Sequence, residues 1–213
     1  MKPLKTESQD AETLRELGSA SVQIVHDLKN QLNGLKLYAT FLRKRMEKSQ
    51  RPADALETIT KLIAGLERAA TDMTLLVRYG RPLELRRQPG TDLARLLADA
   101  AEGARVEAAG GSYEGDFDAS LLAEALKNIT AGGRGEGGGA AQIGLRQEQG
   151  AGGRVAVVEW RGVLGPGAPE EPFRGLAGGA GLRLALAAKI IRAHGGEVSH
   201  ENGVARARLP LAG

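Results

Sequence analysis

Val25-His26-Asp27-Leu28-Lys29-Asn30-Gln31-Leu32 opens the stretch that decides the fold. From it, apolar residues recur at Val25, Leu28, Leu32, Leu35, Ala39, Leu42 and Met46, in alternating steps of three and four. That is the heptad seam of a helix packed against other helices. Leu14, Leu17, Ser21 and Ile24 extend the pattern towards the N-terminus in a neighbouring phase. After the polar break Lys48-Ser49-Gln50-Arg51-Pro52, a second run has the same rhythm: Leu56, Ile59, Ile63, Leu66, Ala70, Met73 and Val77. Tyr79-Gly80-Arg81-Pro82 stops it, because proline and glycine do not continue a helix cheaply. Residues 1–82 therefore read as two long helices joined by a short turn, an antiparallel hairpin. Alone, such a hairpin leaves half its seam wet, and dimerisation into a four-helix bundle is the simplest remedy.

Residues 83–213 read differently. Of the 30 glycines, 17 lie between Ala131 and Gly181, whereas residues 10–80 hold four. Leu83 and Leu85 alternate with charged residues, as a short strand would. Thr91-Asp92 caps a helix predicted from Leu93 to about Ala104, and Asp118-Ala119-Ser120 starts another that carries Leu121, Leu122, Ala125, Leu126 and Ile129. Residues 140–145, 154–160 and 204–209 read as strands. Leu182 to Ala193 reads as a helix ended by Gly195-Gly196. Helices mixed with short strands predict an α+β sandwich as the second domain.

Composition narrows the chemistry. The chain has 213 residues, a formal charge of only +3 and seven aromatic residues, too few for a stacking platform that would hold single-stranded nucleic acid. With no cysteine there is neither a disulfide framework nor a thiolate site, and His26, His194 and His200 are too far apart in sequence to suggest a metal. No apolar run approaches a membrane span and MKPLKTESQD has no signal core, so cytoplasm without membrane contact is the expected setting.

His26 lies about 100° round a helix from the seam residue Val25, and Lys29, Asn30 and Asn33 follow it on one polar stripe. An imidazole with a carboxylate beside it and an amide one turn on has the parts for phosphoryl chemistry. The neutral ring is a nucleophile, Asp27 holds or accepts the other ring proton, and Asn30 orients a water. Spacing alone favours an ordinary solvated histidine, because histidines on helix surfaces are common.

Residues 20–80 resemble the dimerisation and phosphotransfer hairpin of two-component sensor histidine kinases, with Gln31 where that family usually has proline. The resemblance implies phosphorylation of His26 at Nε2, with Asp27 as base and Asn30 positioning water. It also implies a receiver-domain docking surface at Lys29, Asn33, Leu35, Tyr38, Met73 and Val77. The rest of the chain looks like the family's ATP-binding domain with its ligand contacts eroded. Asn128 matches the first asparagine of the family's asparagine box, but the second, which carries Mg²⁺, falls on Gly132. Glu159, followed by Trp160-Arg161, stands where the adenine-binding aspartate belongs. Gly179 and Gly181 match the last glycine box, while Arg183 replaces its final glycine. Gly132 to Gly139 reads as a flexible loop and not a phosphate cradle, because it lacks the Gly-Lys-Ser/Thr ending. His194, in a His-Gly-Gly helix end, reads as structural.

The main expectation is a homodimeric histidine phosphotransfer protein, relaying phosphate through His26 to or from response-regulator receiver domains. Asn128, Glu159, Gly179 and Gly181 would then be vestigial, and no cofactor or metal is expected. The alternatives are an ATP- and Mg²⁺-dependent kinase core autophosphorylating at His26, and a non-catalytic module that binds a regulator or heterodimerises with a kinase.

Overall fold

The computed structural model describes residues 25, 28–47, 53–101, 103–132, 142–150, 152–164, 171–176 and 178–212. The chain divides into two compact units, Met1–Arg81 and Pro82–Gly213.

In the first unit, α1 (28–47) and α2 (Ala53–Gly80) lie either side of residues 48–52. A cross-helix ion pair, Lys36 Nζ to Glu67 Oε1 at 2.7 Å, ties the hairpin together. Burial splits the α1 seam in two. Leu32, Ala39 and Met46 turn inward, with Ala39 4% exposed and Ile63 of α2 likewise buried. Leu28, Leu35 and Leu42, the other half of the heptad, remain 41%, 54% and 54% exposed. Two helices in contact consume one stripe of each seam, so the second has nothing within this hairpin to pack on. Lys29, Lys36 and Arg43 flank the inward stripe and are partly covered, their aliphatic stems lying along it. The expected extension through Leu14, Leu17, Ser21 and Ile24 lies outside the described residues, as does the turn.

The second unit opens with a departure from the sequence reading. Leu83 and Leu85 form no strand; the Arg86 N–H beside them donates to Asp118 Oδ2 at 2.8 Å, a side chain standing where a ladder partner would be. The first strand is β1 (Gln88–Asp92), paired antiparallel with β3 (Glu114–Phe117) as a separate two-stranded sheet. Asp92 caps α3 (Leu93–Ala100), its carboxylate accepting from the amides of Ala94 and Arg95. That helix stops short of the expected Ala104 because the chain turns through Gly103, at φ +85°, into β2 (Arg105–Ala108).

After α4 (Ala119–Gly132) come β4 (Gln142–Gly150), β5 (Gly153–Arg161), α5 (Gly178–Ala193), β6 (Glu197–Glu201) and β7 (Val204–Pro210). Five of the strands form one sheet in the order β2-β4-β5-β7-β6, with β2 parallel to β4 and every other pair antiparallel. On one face Ile143, Leu145, Ala156, Val158, Trp160, Ala205, Ala207 and Leu209 are all buried, as are Leu122, Leu126 and Ile129 of α4 and Leu186 and Ile190 of α5. This is the helix-on-sheet sandwich expected from the sequence. The α5–β6 turn is compact: Gly195 takes φ +78°, and a Cβ on Gly196 would stand 2.4 Å from the Arg208 carbonyl oxygen.

Candidate functional site

His26 and Asp27 lie outside the described residues. Asn30, one turn on, is on the exposed side of α1; Lys29 is partly covered and Asn33 exposed. Leu35 and Tyr38 are exposed at 54% and 68%, while Met73 and Val77 of α2 are half-buried. Two apolar residues that sequence reasoning passed over also stand clear of the hairpin, Leu37 at 55% and Phe41 at 60%. Helical arithmetic would have found them. At 100° per residue, Leu37 comes within about 20° of position 26 and Phe41 within about 60°, whereas Leu35 falls about 180° away.

The strand register decides where Glu159 points. In β5 the alternation places Ala156, Val158 and Trp160 on the helix-covered face, so Glu159 faces the other side of the sheet. There three guanidinium groups claim it: Arg206 at 2.9 Å, Arg146 at 3.2 Å and Arg161 at 3.3 Å. Arg146 also pairs with Glu148, and Arg208 links Glu148 to Glu197, so the acid is one member of an ion-pair lattice spanning four strands. Val157 is fully buried between its register neighbours Arg146 and Arg208, whose stems cover it.

Inside the sandwich the neighbouring residue fills the space. Trp160 is fully buried and its Nε1–H donates to Thr130 Oγ1 at 3.0 Å; that hydroxyl donates in turn to the Leu126 carbonyl at 2.9 Å. Gly132, where the resemblance would put the Mg²⁺ asparagine, packs on α5. A Cβ there would lie 2.9 Å from Leu184 Cδ2. Asn128 is partly buried and its Nδ2 has no hydrogen-bond partner. Gly179 and Gly181 lie at the start of α5, where a Cβ on Gly181 would come within 3.0 Å of the Gly175 carbonyl oxygen. Arg183 is half-buried in the same helix. The lone unpartnered amide is a group a ligand would satisfy. The positions for an adenine-accepting carboxylate and a metal-binding oxygen, however, do not supply them, so these residues do not fit ATP with Mg²⁺.

His194 is structural. It is 1% exposed, its Nε2 accepts from the Asp118 amide at 3.0 Å, its Nδ1–H donates to the Ile190 carbonyl at 2.8 Å, and Phe117 meets its ring edge-on. Burial, together with Arg87, holds its pKa below the ordinary histidine value against the opposing effect of the Ile190 carbonyl and the Asp118 and Asp116 charges. The folded unit thus prefers the neutral ring. This contribution to stability is fully present above about pH 6.5, where the unfolded histidine is also neutral, and is lost as pH falls below that value. Denaturant unfolding at stepped pH is expected to show Pro82–Gly213 weakening as pH falls below about 6.5, and His194→Gln should flatten that slope while lowering stability throughout. An unchanged slope in the variant would assign the acid sensitivity elsewhere. Asp118 is buried, which raises its pKa, but amide hydrogen bonds from Leu121 and Arg86 and the nearby His194 bring it below the ordinary carboxylate value.

No family model and no curated protein matches the sequence. Solved structures do. Full-length ShkA in complex with AMPPNP aligns at a TM-score of 0.60 and 22% identity, over 89% of this chain and 45% of that one. The histidine kinase ThkA in complex with the response regulator TrrA aligns at 0.57 and 19%, over 98% and 66%. The Acinetobacter baumannii histidine kinase AdeS aligns at 0.55 and 15%, over 84% and 96%. This chain thus spans under half the length of ShkA. At these identities the likeness is one of fold, and the fold is that of a histidine kinase core: a helical N-terminal part followed by the ATPase-type sandwich. Among the described residues no helix is long and apolar enough to cross a membrane.

Proposed function

We propose that this chain is the phosphotransfer core of a two-component system, with His26 carrying the phosphoryl group to or from a receiver-domain aspartate. The fold supports the general reading, and ThkA was solved with a response regulator bound. In the transfer step the neutral Nε2 lone pair of His26 attacks phosphorus of the aspartyl phosphate. The P–O bond to the aspartate breaks, the carboxylate leaves with the electron pair, and Nδ1 keeps its proton, held by Asp27. Asn30, one turn on, would orient a water that hydrolyses the receiver's aspartyl phosphate to free aspartate and inorganic phosphate.

The hairpin divides its surface accordingly. Leu37, Phe41 and Asn33 lie within about 60° of the His26 meridian and would meet the receiver, with Lys29 on their flank, Tyr38 at the edge, and Met73 and Val77 across on α2. Leu35 belongs instead with Leu28 and Leu42, on a stripe about 160° to 200° from His26. That exposed stripe supports a homodimer closing into a four-helix bundle.

The observation that favours relay over autophosphorylation is the orientation of Glu159, held on the far sheet face by three arginines while Trp160 fills the interior. The second reading is an ATP-dependent kinase. It is favoured by the company the fold keeps: the aligned AdeS and ThkA are histidine kinases, and ShkA was solved with a nucleotide analogue. Labelling separates the two. The purified chain is expected to take acid-labile label from aspartate-phosphorylated receiver domains and none from γ-labelled ATP with Mg²⁺. Label from ATP would make it a kinase. Label from neither donor, with receiver binding intact, would leave a binding module.

A further inference from the structure

At the last turn of α5, that helix and β6 meet the segment 171–174 in a cleft of ≈ 450 Å³ that no part of the phosphotransfer reading uses. Arg192 enters from the last turn of α5, His200 from β6, and Arg174 from the segment, where it pairs with Glu171 at 3.2 Å. Pro172, Phe173 and Val198 give the cleft an apolar side, the first two buried.

One group here lacks the partner its chemistry requires, and an exposed guanidinium stands beside it. His200 Nε2 is buried from water and has no hydrogen-bond partner, an arrangement that costs free energy until something fills it. Arg192, five donors on a planar fork, makes no side-chain hydrogen bond or ion pair among the described residues, while Arg146, Arg161, Arg206 and Arg208 on the sheet face are all paired. With Arg174 the cleft brings two guanidinium groups and an imidazole against one carboxylate. An oxyanion satisfies such a set, since guanidinium grips phosphate oxygens in pairs and an Nε2–H donates to a third. The cleft is roomier than a bare phosphate needs, which leaves space beside Val198 for an organic substituent.

We propose that this cleft binds a small phosphomonoester, its phosphate on Arg192, His200 and Arg174 and its organic part on the apolar side. The proposal stands apart from phosphotransfer at His26, and His26→Ala should leave it unchanged.

Calorimetric titration of the full chain with phenyl phosphate, ribose 5-phosphate and inorganic phosphate tests it. Saturable binding of at least one ester is expected, tighter than inorganic phosphate and weakened about tenfold by Arg192→Gln and by His200→Phe. Arg161→Gln, on the outer sheet face, should retain wild-type affinity. No saturation by any probe up to about 10 mM would overturn the site, as would affinities indifferent to Arg192 and His200. Equal binding of all three probes would overturn the ester assignment. Should a variant fail to fold, the His200 ring resonances of the wild type supply a second readout: they must shift on ester addition, and their constancy rejects the proposal.

Discussion

Trp160→Ala is expected to cost the second unit about 3–5 kcal/mol, the upper range for truncating a buried aromatic residue. The side chain is fully buried one residue before the end of β5, between Ile143 and Ala205 in the sheet register, and Ala205 is too small to collapse into the void. Removal also strips Thr130 Oγ1 of its donor in a site with no water access. Against a whole-domain stability of about 5–15 kcal/mol, the loss leaves the unit marginal. Thr130→Val separates the two contributions. It keeps the volume but orphans the indole N–H, and is expected to cost about 1–3 kcal/mol. The measurement is guanidinium unfolding followed by far-ultraviolet circular dichroism, because Trp160 is the chain's single tryptophan and its fluorescence disappears with it. A cost below about 1 kcal/mol for Trp160→Ala would mean that the indole is not the keystone of the helix–sheet interface.

The second large effect is on chemistry. His26→Ala is expected to lower phosphoryl uptake from a phosphorylated receiver by a factor on the order of 10³ or more, as loss of a nucleophile does. Receiver affinity should survive, because the docking surface assigned to Asn33, Leu37 and Phe41 is untouched. Leu37→Asp should do the converse, weakening receiver binding while leaving His26 in place. Retained transfer in His26→Ala would refute the assignment of the phosphoacceptor. Unchanged regulation in a cell carrying that variant would favour the binding module, whose work needs no phosphate.

The two halves of the chain were legible for different reasons. In residues 25–80 one periodic signal covers many turns, and α2 follows its seam from Leu56 to Val77. In residues 83–213 the elements carried by apolar repeats, α4, α5 and β5, are where the pattern put them. The strands β1, β2, β3 and β6 were missed because Gln-Pro-Gly-Thr-Asp, Arg-Val-Glu-Ala, Glu-Gly-Asp-Phe and Glu-Val-Ser-His-Glu have too few apolar residues to give a clear alternation. Leu83 and Leu85 alternate properly and form no strand, since Asp118 takes the neighbouring amide.

By itself the sequence determined the helical repeat of the hairpin and the helix-on-sheet class of the second unit. Those follow from residue type and local period, which need no partner. Only tertiary structure decided which half of the α1 seam is buried, because a heptad does not say how many helices it meets. It likewise decided that Glu159 turns outward to Arg146, Arg161 and Arg206 while Trp160 turns in to Thr130. A one-residue difference in strand register exchanges those faces, and register is fixed by pairing across β4, β5 and β7, between residues spread from Gln142 to Pro210.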